Sequence, residues 1–337
     1  MKLSIHQFDL PLRHTFTIAR GSTTVSRTLI VELEQDGVSG YGEAGENDFY
    51  GASIPDMMAT LEAVRPLLEA KGPTEPAELW AELESEFGPK SFPQCALDLA
   101  AWDLWGKLQK QPVWKLWDLT TGDLPVTDYT IGIDTIDVMV RKMEEFPGWP
   151  VYKIKLGTDN DIEIVRELRR HTDAVFRVDA NCAWTVEQTI ENSLALAELG
   201  VEFIEQPMVR ENWAGMEQVF AESALPIIAD ESCQREADVV RCAGCFHGVN
   251  VKLVKCGGLT PAKRMIDSAR EMRLKTMVGC MTESTVGISA IAQLLPLLDY
   301  VDMDGALLLA EDVASGVRIE RGHAILPEGN GSGVQLL

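Results

Sequence analysis

Lys153 and Lys155 lie two residues apart in an otherwise apolar run, Val151-Tyr-Lys-Ile-Lys-Leu-Gly157. Residues i and i+2 of a β-strand point to the same face, so both ammonium groups would enter one interior. Burial and a like-charged neighbour each disfavour an ionised lysine, and lower its pKa towards what a general base needs near neutral pH. Alone, the pattern is more simply an edge strand with two solvated lysines. The residues that follow change that reading. Three later apolar runs end in a carboxylate: Phe176-Arg-Val-Asp179, Phe203-Ile-Glu205 and Ile228-Ala-Asp230. Neighbouring strands lie about 4.8 Å apart, so one carboxylate from each of three consecutive strands can converge. Three uncompensated carboxylates repel. A hard divalent cation relieves the repulsion, and an all-oxygen donor set favours Mg²⁺ over zinc.

A third lysine, Lys252, follows Val249-Asn-Val251. If the strands close into an eight-stranded barrel, Lys155 on the second and Lys252 on the sixth occupy opposite walls, with the metal along the rim between them. A substrate chelated there has a lysine on each face. That suits proton removal next to a carboxylate on one side and return on the other, which is racemisation or epimerisation, with the metal stabilising the developing enediolate charge. Lys255 is three residues out of phase with Lys252 along a strand and is expected outside the site. Asp302 and Asp304 share a face by the i, i+2 rule, across the barrel from the metal. They call for a cation: a second metal or, better, a substrate ammonium. Glu283 is placed to hydrogen-bond Lys252 or the substrate. None of the five histidines falls at a strand end, so a histidine base is not expected.

The elements that must position these groups divide the chain in two. Residues 1 to about 45 read as antiparallel strands, with Asp36-Gly37 as a turn. A polar loop, His14 to Ser22, carries Thr15, Thr17 and Arg20; a second, Glu46 to Gly51, carries Phe49 and Tyr50. From about 55 to 118 the period is helical. Pro76 sits in a helix first turn, and Leu97, Ala100, Ala101, Leu104 and Leu108 form one stripe. Trp102, Trp105, Trp114 and Trp117 read as core or interface, and tryptophan-rich exposed helices would allow a homo-oligomer. Strands then helices make an α+β domain. After Thr121-Gly122-Asp123, eight short apolar strands alternate with amphipathic segments: Val126–Ile133, Val151–Gly157, Val175–Asn181, Val201–Pro207, Pro226–Ser232, Gly248–Val254, Lys275–Met281 and Tyr300–Leu309. Eight such units indicate a closed parallel barrel with catalytic residues at the C-terminal ends of its strands. The Gly-rich tail, Ile319 to Leu337, is expected to return to the N-terminal domain.

The chain has 337 residues and a net charge of −22, which argues against a nucleic-acid partner, since phosphate backbones need clustered Lys and Arg. No run of 18 apolar residues exists, so no membrane span is expected, and the polar N-terminus does not resemble a signal peptide. Seven irregularly spaced cysteines suggest reduced thiols and a cytoplasmic protein. Cys242-Ala-Gly-Cys245 is a lone CxxC, read as small buried side chains rather than a zinc or redox site.

Together, Lys153-Ile-Lys155, Val178-Asp-Ala-Asn181, Ile204-Glu-Gln-Pro207, Ala229-Asp-Glu-Ser232, Asn250-Val-Lys-Leu253 and Lys255-Cys-Gly-Gly258 resemble the enolase superfamily over essentially the whole chain. The lysine on the sixth strand looks like the muconate-lactonising-enzyme subgroup. Met281-Thr-Glu283 and Asp302-Met-Asp304 look like its dipeptide epimerases, whose best-known member acts on L-Ala-D/L-Glu. The resemblance implies a (β/α)7β TIM-like barrel, residues 123–309, under an α+β capping domain of residues 1–122 completed by 310–337. It implies Lys155 and Lys252 as the two acid/bases exchanging the α-proton of a dipeptide's C-terminal residue. Lys153 would depress the pKa of Lys155 and touch the substrate carboxylate. Asp179, Glu205 and Asp230 would bind Mg²⁺, and Asp302 and Asp304 the substrate ammonium. One departure concerns specificity. The Ala-Glu enzymes use an arginine of the first capping loop for the glutamate side chain, whereas here Arg20 stands one position early, with Gly21 in register. Side-chain selection is then expected from Thr15, Thr17, Arg20, Phe49 and Tyr50. o-Succinylbenzoate synthesis, muconate cycloisomerisation and N-acylamino acid racemisation are rivals within the subgroup, but their substrates carry no ammonium for Asp302 and Asp304. A non-catalytic ligand-binding relative is a further alternative, against which the intact lysines and carboxylates speak.

Overall fold

The computed structural model describes residues 1–337. The chain opens with an antiparallel sheet of β1 (Lys2–Ile18), β2 (Gly21–Gln35) and β3 (Val38–Gly45) in that order. Asp36 and Gly37 both take positive φ, 54° and 79°, the tight-turn conformation that matches strand twist. The supposed loop His14–Ser22 is instead the tip of the β1–β2 ribbon. After an irregularity between Pro11 and Phe16, pairing resumes with Phe16 opposite Thr23, Thr17 opposite Ser22 and Ile18 opposite Gly21. Polar composition concealed it, because a projecting ribbon has no buried face to impose alternation.

Three helices follow: α1 (Ile54–Glu69), α2 (Pro76–Phe87) and α3 (Ser91–Gln109), with proline in the first turn of α1 and α2. Helix α3 is buried along nearly its whole length against β3. Gly40 and Gly42 permit this, since a Cβ at either would overlap the backbone of Ala96, Ala100 or Leu104. Trp102 is buried, donates to Thr260 Oγ1 at 2.8 Å and meets Trp117 edge-on at 5.0 Å. Trp105, Trp114 and Trp117 are half-buried, so the exposed tryptophan face expected to support self-association is not there.

The remaining chain forms eight parallel strands: β4 (Tyr129–Ile131), β5 (Val151–Lys155), β6 (Val175–Asp179), β7 (Val201–Glu205), β8 (Ile227–Ala229), β9 (Gly248–Val251), β10 (Lys275–Gly279) and β11 (Tyr300–Asp302). They pair in sequence order, and a bridge from Thr127 to Val301 links the two ends of the sheet. Several strands are shorter than the apolar runs suggest. β9 stops at Val251 because Leu253–Cys256 is a helical turn, and β11 gives way to a 3-10 turn at Gly305–Leu308. Alternation sends Phe203, Ile228 and Met277 inward below the functional layer, where they form a small cluster with Tyr300. Arg177 lies over Phe203 and Tyr300, and its charge is met by Asp128 and Glu202 at 2.9 and 2.8 Å. This floor is packed, not open.

The tail returns to α3, as anticipated. Ser332 donates to Asp103, Lys107 donates to Val334 O, and Val113 N donates to Gly331 O. Glu43 of β3 ties the cap to the barrel by accepting from Thr28, Ser284 and Gly287 at the start of helix Thr285–Ala292. No helix is long and apolar enough to cross a membrane.

Candidate active site

Strand register builds the first part of the site. Lys155 pairs with Asp179, and Asp179 with Glu205, so the three stand side by side in one layer of the barrel mouth. Asp230 follows β8 by one residue. Its amide and that of Ser232 donate to the Gln206 side-chain oxygen at 3.0 Å, which fixes the turn. Asp179, Glu205 and Asp230 are all buried, with one carboxylate oxygen from each lying within 4.8 Å of the others. Asn181 donates to Asp179, and Asn250 to Glu205 at 2.8 Å, orienting the carboxylates from behind. Glu205 Oε2 lies 2.7 Å from Lys153 Nζ but receives no aligned hydrogen bond. Three convergent, buried, oxygen-only donors, one with an unfilled lone pair, fit a hard divalent cation.

The lysines are gripped by these acids. Lys155 Nζ is 2.7 Å from Asp179, and Lys252 Nζ is 2.9 Å from Asp230. Lys153 is fully buried, with its Nζ 2.7 Å from both Glu205 and Asp302 and 3.7 Å from Asp179. Burial pulls Lys153 down, yet Asp302, Glu205 and Asp179 hold it well above the ordinary lysine range. Burial likewise opposes the charge on Lys252, and Asp230 outweighs it, so that lysine too is raised. The mutual depression expected from two neighbouring lysines is therefore overturned for Lys153, because carboxylates surround it more closely than its fellow cation does.

Lys255 also corrects expectation. Counted along a strand it is out of phase, but β9 ends first and residues 252 to 255 turn helically, which puts i and i+3 on one side. Lys255 donates to Asp230 Oδ1 at 2.6 Å, as well as to the carbonyls of Asp230, Cys233 and Asn250. The strand break at Lys252 was the missing signal.

Asp302 and Asp304 meet on one face, each with an oxygen 3.9 Å from Cys280 Sγ. They are nearer the carboxylate triad than expected, since the single ammonium of Lys153 spans Asp302 and Glu205. The two acids differ. Asp302 is held below the carboxylate range by Lys153 and Lys155 despite its burial. Burial and the charge of Asp302 push Asp304 up to about 7, and Asp304 accepts from Thr130 N at 2.6 Å.

Above these groups lies a cavity of about 710 Å³, lined by Lys155, Lys252, Asp230, Glu231, Asp302 and Asp304 below and by the ribbon tip and the Asp48–Tyr50 turn above. Phe16, Ile18 and Arg20 face it. Thr17 does not. Its hydroxyl bonds that of Ser22 instead, and neither Thr17 nor Thr15 is among the residues lining the cavity. Arg20 lies 4.4 Å over the Phe49 ring, donates to Asn181 O and sits 2.8 Å from Glu231 Oε1. Tyr50 backs Phe49 and leans on Phe92. Glu283 is another correction: it accepts from Met281 N and has no bond to Lys252. Burial and nearby Glu43 raise it to about 8. Sequence reasoning missed Glu231, hidden because strand alternation gives adjacent residues opposite faces. The chain leaves β8 before Asp230, and the following turn brings both to the cavity.

An acidic rim fit for a divalent cation, with a lysine on each side at the C-terminal end of a parallel barrel, has the parts that metal-assisted proton transfer requires. The mandelate racemase / muconate lactonizing enzyme N-terminal domain matches residues 2–117, and the enolase C-terminal domain-like family matches residues 138–337. The chain belongs to the mandelate racemase / muconate lactonizing enzyme family of the enolase superfamily. It is 58% identical over 337 residues, covering 100% of both chains, to the L-Ala-D/L-amino acid epimerase of Flavobacterium johnsoniae. It is 38% identical to the L-Ala-D/L-Glu epimerase of Bacteroides thetaiotaomicron, covering 99% of this chain and 88% of that one. Its fold matches the dipeptide epimerase of Enterococcus faecalis V583, complexed with Mg and L-Leu-L-Tyr, with a TM-score of 0.91 and 30% identity over 99% and 98% of the two chains.

Proposed function

We propose that the protein is a Mg²⁺-dependent dipeptide epimerase that inverts the α-carbon of the C-terminal residue. The observation carrying this reading is the pair of lysines on strands four apart, each held by a different member of the carboxylate triad. Asp179, Glu205 and Asp230 would hold the ion. When bound, it would fix the substrate carboxylate and draw off the charge that builds there as the α-proton leaves. Lys155 and Lys252 approach the α-carbon from opposite faces, one removing the proton and the other supplying its replacement. Lys153, too buried and too surrounded by acids to shuttle protons, holds the layer together as a fixed cation. Asp302 and Asp304 receive the substrate ammonium, which disfavours family reactions on substrates lacking one. Arg20, Phe49 and Tyr50 meet the side chain. We also take residues 1–122 with 310–337 as the capping domain and 123–309 as the barrel domain. A cytoplasmic location is supported by seven unpaired cysteines in an acidic chain.

Incubating the protein and Mg²⁺ with a dipeptide library in D₂O, followed by ¹H NMR, tests the reading. Loss of the C-terminal α-proton signal with growth of the second diastereomer is expected. Absence of α-deuteration in every dipeptide would sink it.

A further inference from the structure

Asp302 and Asp304 have a third neighbour that ammonium binding does not explain. Cys280, half-buried and directly after β10, has its Sγ 3.9 Å from Oδ1 of each acid. The other carboxylate oxygens are engaged: Asp302 Oδ2 accepts from Lys153 Nζ, and Asp304 Oδ2 from Thr130 N. No N–H or O–H group reaches either Oδ1, and one S–H cannot serve both. Asp302 is 4% and Asp304 1% exposed, so at least one buried carboxylate oxygen lacks a donor and is aimed at the sulfur. The backbone holds this arrangement. Cys280 N donates to Asp302 O at 2.7 Å, and Gly305 lets the following turn close on Met281 O, where a Cβ would overlap. All three side chains line the cavity, with one donor atom of each within 4.8 Å of the others.

Resting on the reading of Asp302 and Asp304 as the ammonium site, we propose that Cys280, Asp302 and Asp304 form a second metal site, selective for thiophilic divalent cations such as Zn²⁺ or Cd²⁺, whose occupation excludes the dipeptide. Set against the Lys153 ammonium, the two carboxylates leave one net negative charge, which a substrate ammonium cancels. A thiolate adds the second charge that a divalent ion needs. On binding, the ion displaces the thiol proton to solvent, together with any proton on Asp304, and forms one bond to sulfur and one to each carboxylate. Zn–S and Zn–O bonds of about 2.3 and 2.0 Å at a tetrahedral angle put sulfur and oxygen about 3.5 Å apart, so the observed 3.9 Å calls for only small side-chain shifts. Mg²⁺ prefers oxygen ligands and leaves this site to softer ions, while the all-oxygen triad favours Mg²⁺.

The test is a Cd²⁺ titration with Mg²⁺ in large excess, followed by ultraviolet thiolate-to-cadmium absorption and by inhibition of L-Ala-L-Leu epimerisation. Wild type should develop the band and be inhibited competitively with the dipeptide, and further Mg²⁺ should not restore activity. At subsaturating Cd²⁺, the dipeptide should in turn weaken the band. In Cys280→Ser, which keeps the size but replaces the soft donor, both responses should need at least about 100-fold more Cd²⁺, since even a lost outer partner of a metal ligand costs about 10- to 100-fold. Cys182→Ser, at the other half-buried thiol, should behave as wild type. No band in wild type, equal responses in wild type and Cys280→Ser, a band lost in Cys182→Ser, or inhibition that Mg²⁺ relieves would overturn the proposal. So would a dipeptide that is turned over yet leaves the band unchanged. A Cys280-dependent band in a protein that epimerises no dipeptide would leave the metal site standing and sink the ammonium reading instead.

Discussion

The mouth of the barrel and the underside of the cap enclose the same cavity but are built differently. In the barrel, Lys155, Asp179 and Glu205 stand at strand ends locked by ladder register, and Lys252 directly follows β9, all less than 9% exposed. In the cap, Arg20 is 31% and Phe49 45% exposed, on a ribbon tip and a single 3-10 turn. Chemistry that needs fixed distances belongs on rigid elements, whereas side-chain selection tolerates, and can be retuned by, an exposed rim. The difference teaches that substitutions in the barrel should affect every dipeptide alike, most severely at the lysines, while substitutions in the cap should reorder the dipeptides.

The largest effect should come from the lysines. Lys155→Ala and Lys252→Ala should each lower epimerisation kcat by about 10²- to 10⁴-fold, the range for loss of a general acid/base. Each variant should still exchange the α-proton of the one diastereomer that faces its surviving lysine, measured by ¹H NMR in D₂O. Equal loss of exchange for both diastereomers in both variants would break the two-face assignment.

Lys255 comes next. It touches no cavity surface, yet it anchors Asp230. Groups orienting a metal ligand typically contribute about 10- to 100-fold in metal affinity. Lys255→Met should weaken Mg²⁺ binding by that order in a calorimetric titration, with selectivity among dipeptides unchanged. Unaltered affinity would make Lys255 purely a fold contact.

The same contrast explains what could be read in advance. Asp179, Glu205 and Asp230 were legible because a strand end is marked by an apolar run and its register is fixed by period two. The eight-strand count followed from the same signal. Lys255 was misplaced because the period changed from strand to helix at Lys252, and nothing apolar marks that point. Thr17 was misplaced because the ribbon projects from the sheet, so no buried face records its phase. Glu231 went unnoticed since a turn after β8, not strand alternation, brings it to the cavity, beside an Arg20 more than two hundred residues away. Glu283 was aimed at Lys252 or the substrate on the strength of position alone; its carboxyl accepts from Met281 N and makes no bond to Lys252.

A smaller effect belongs to the acid pair of β11, which sits in the rigid half but handles binding. Asp304 titrates at about 7, raised by burial and by Asp302. An ammonium favours its ionised form, so affinity is fully present above that pH and falls as the pH drops through it. KM should therefore rise below about pH 7 for every dipeptide tested, about tenfold per unit at most. Asp304→Asn should have a high KM with that pH dependence removed. A KM independent of pH in wild type would show that Asp302 alone carries the ammonium.

The smallest effect should come from Phe49→Ala, the purest change in the cap. Phe49 is half-exposed and holds Arg20 by stacking at 4.4 Å, with Arg210 farther off at 5.9 Å. An exposed cation–π contact is worth about 0.5–1 kcal/mol, so the KM change for L-Ala-L-Leu should be about two- to fivefold. Because no strand register or metal-facing carboxylate depends on this ring, kcat and the melting temperature should stay near wild type. The KM values of different dipeptides should shift by unequal factors, since what is lost is contact with the side chain and the fixed posture of Arg20. A fall in kcat shared equally by all dipeptides would mean that the rim also sets the geometry of the lysines, and the separation between a rigid chemical half and an adjustable selecting half would fail.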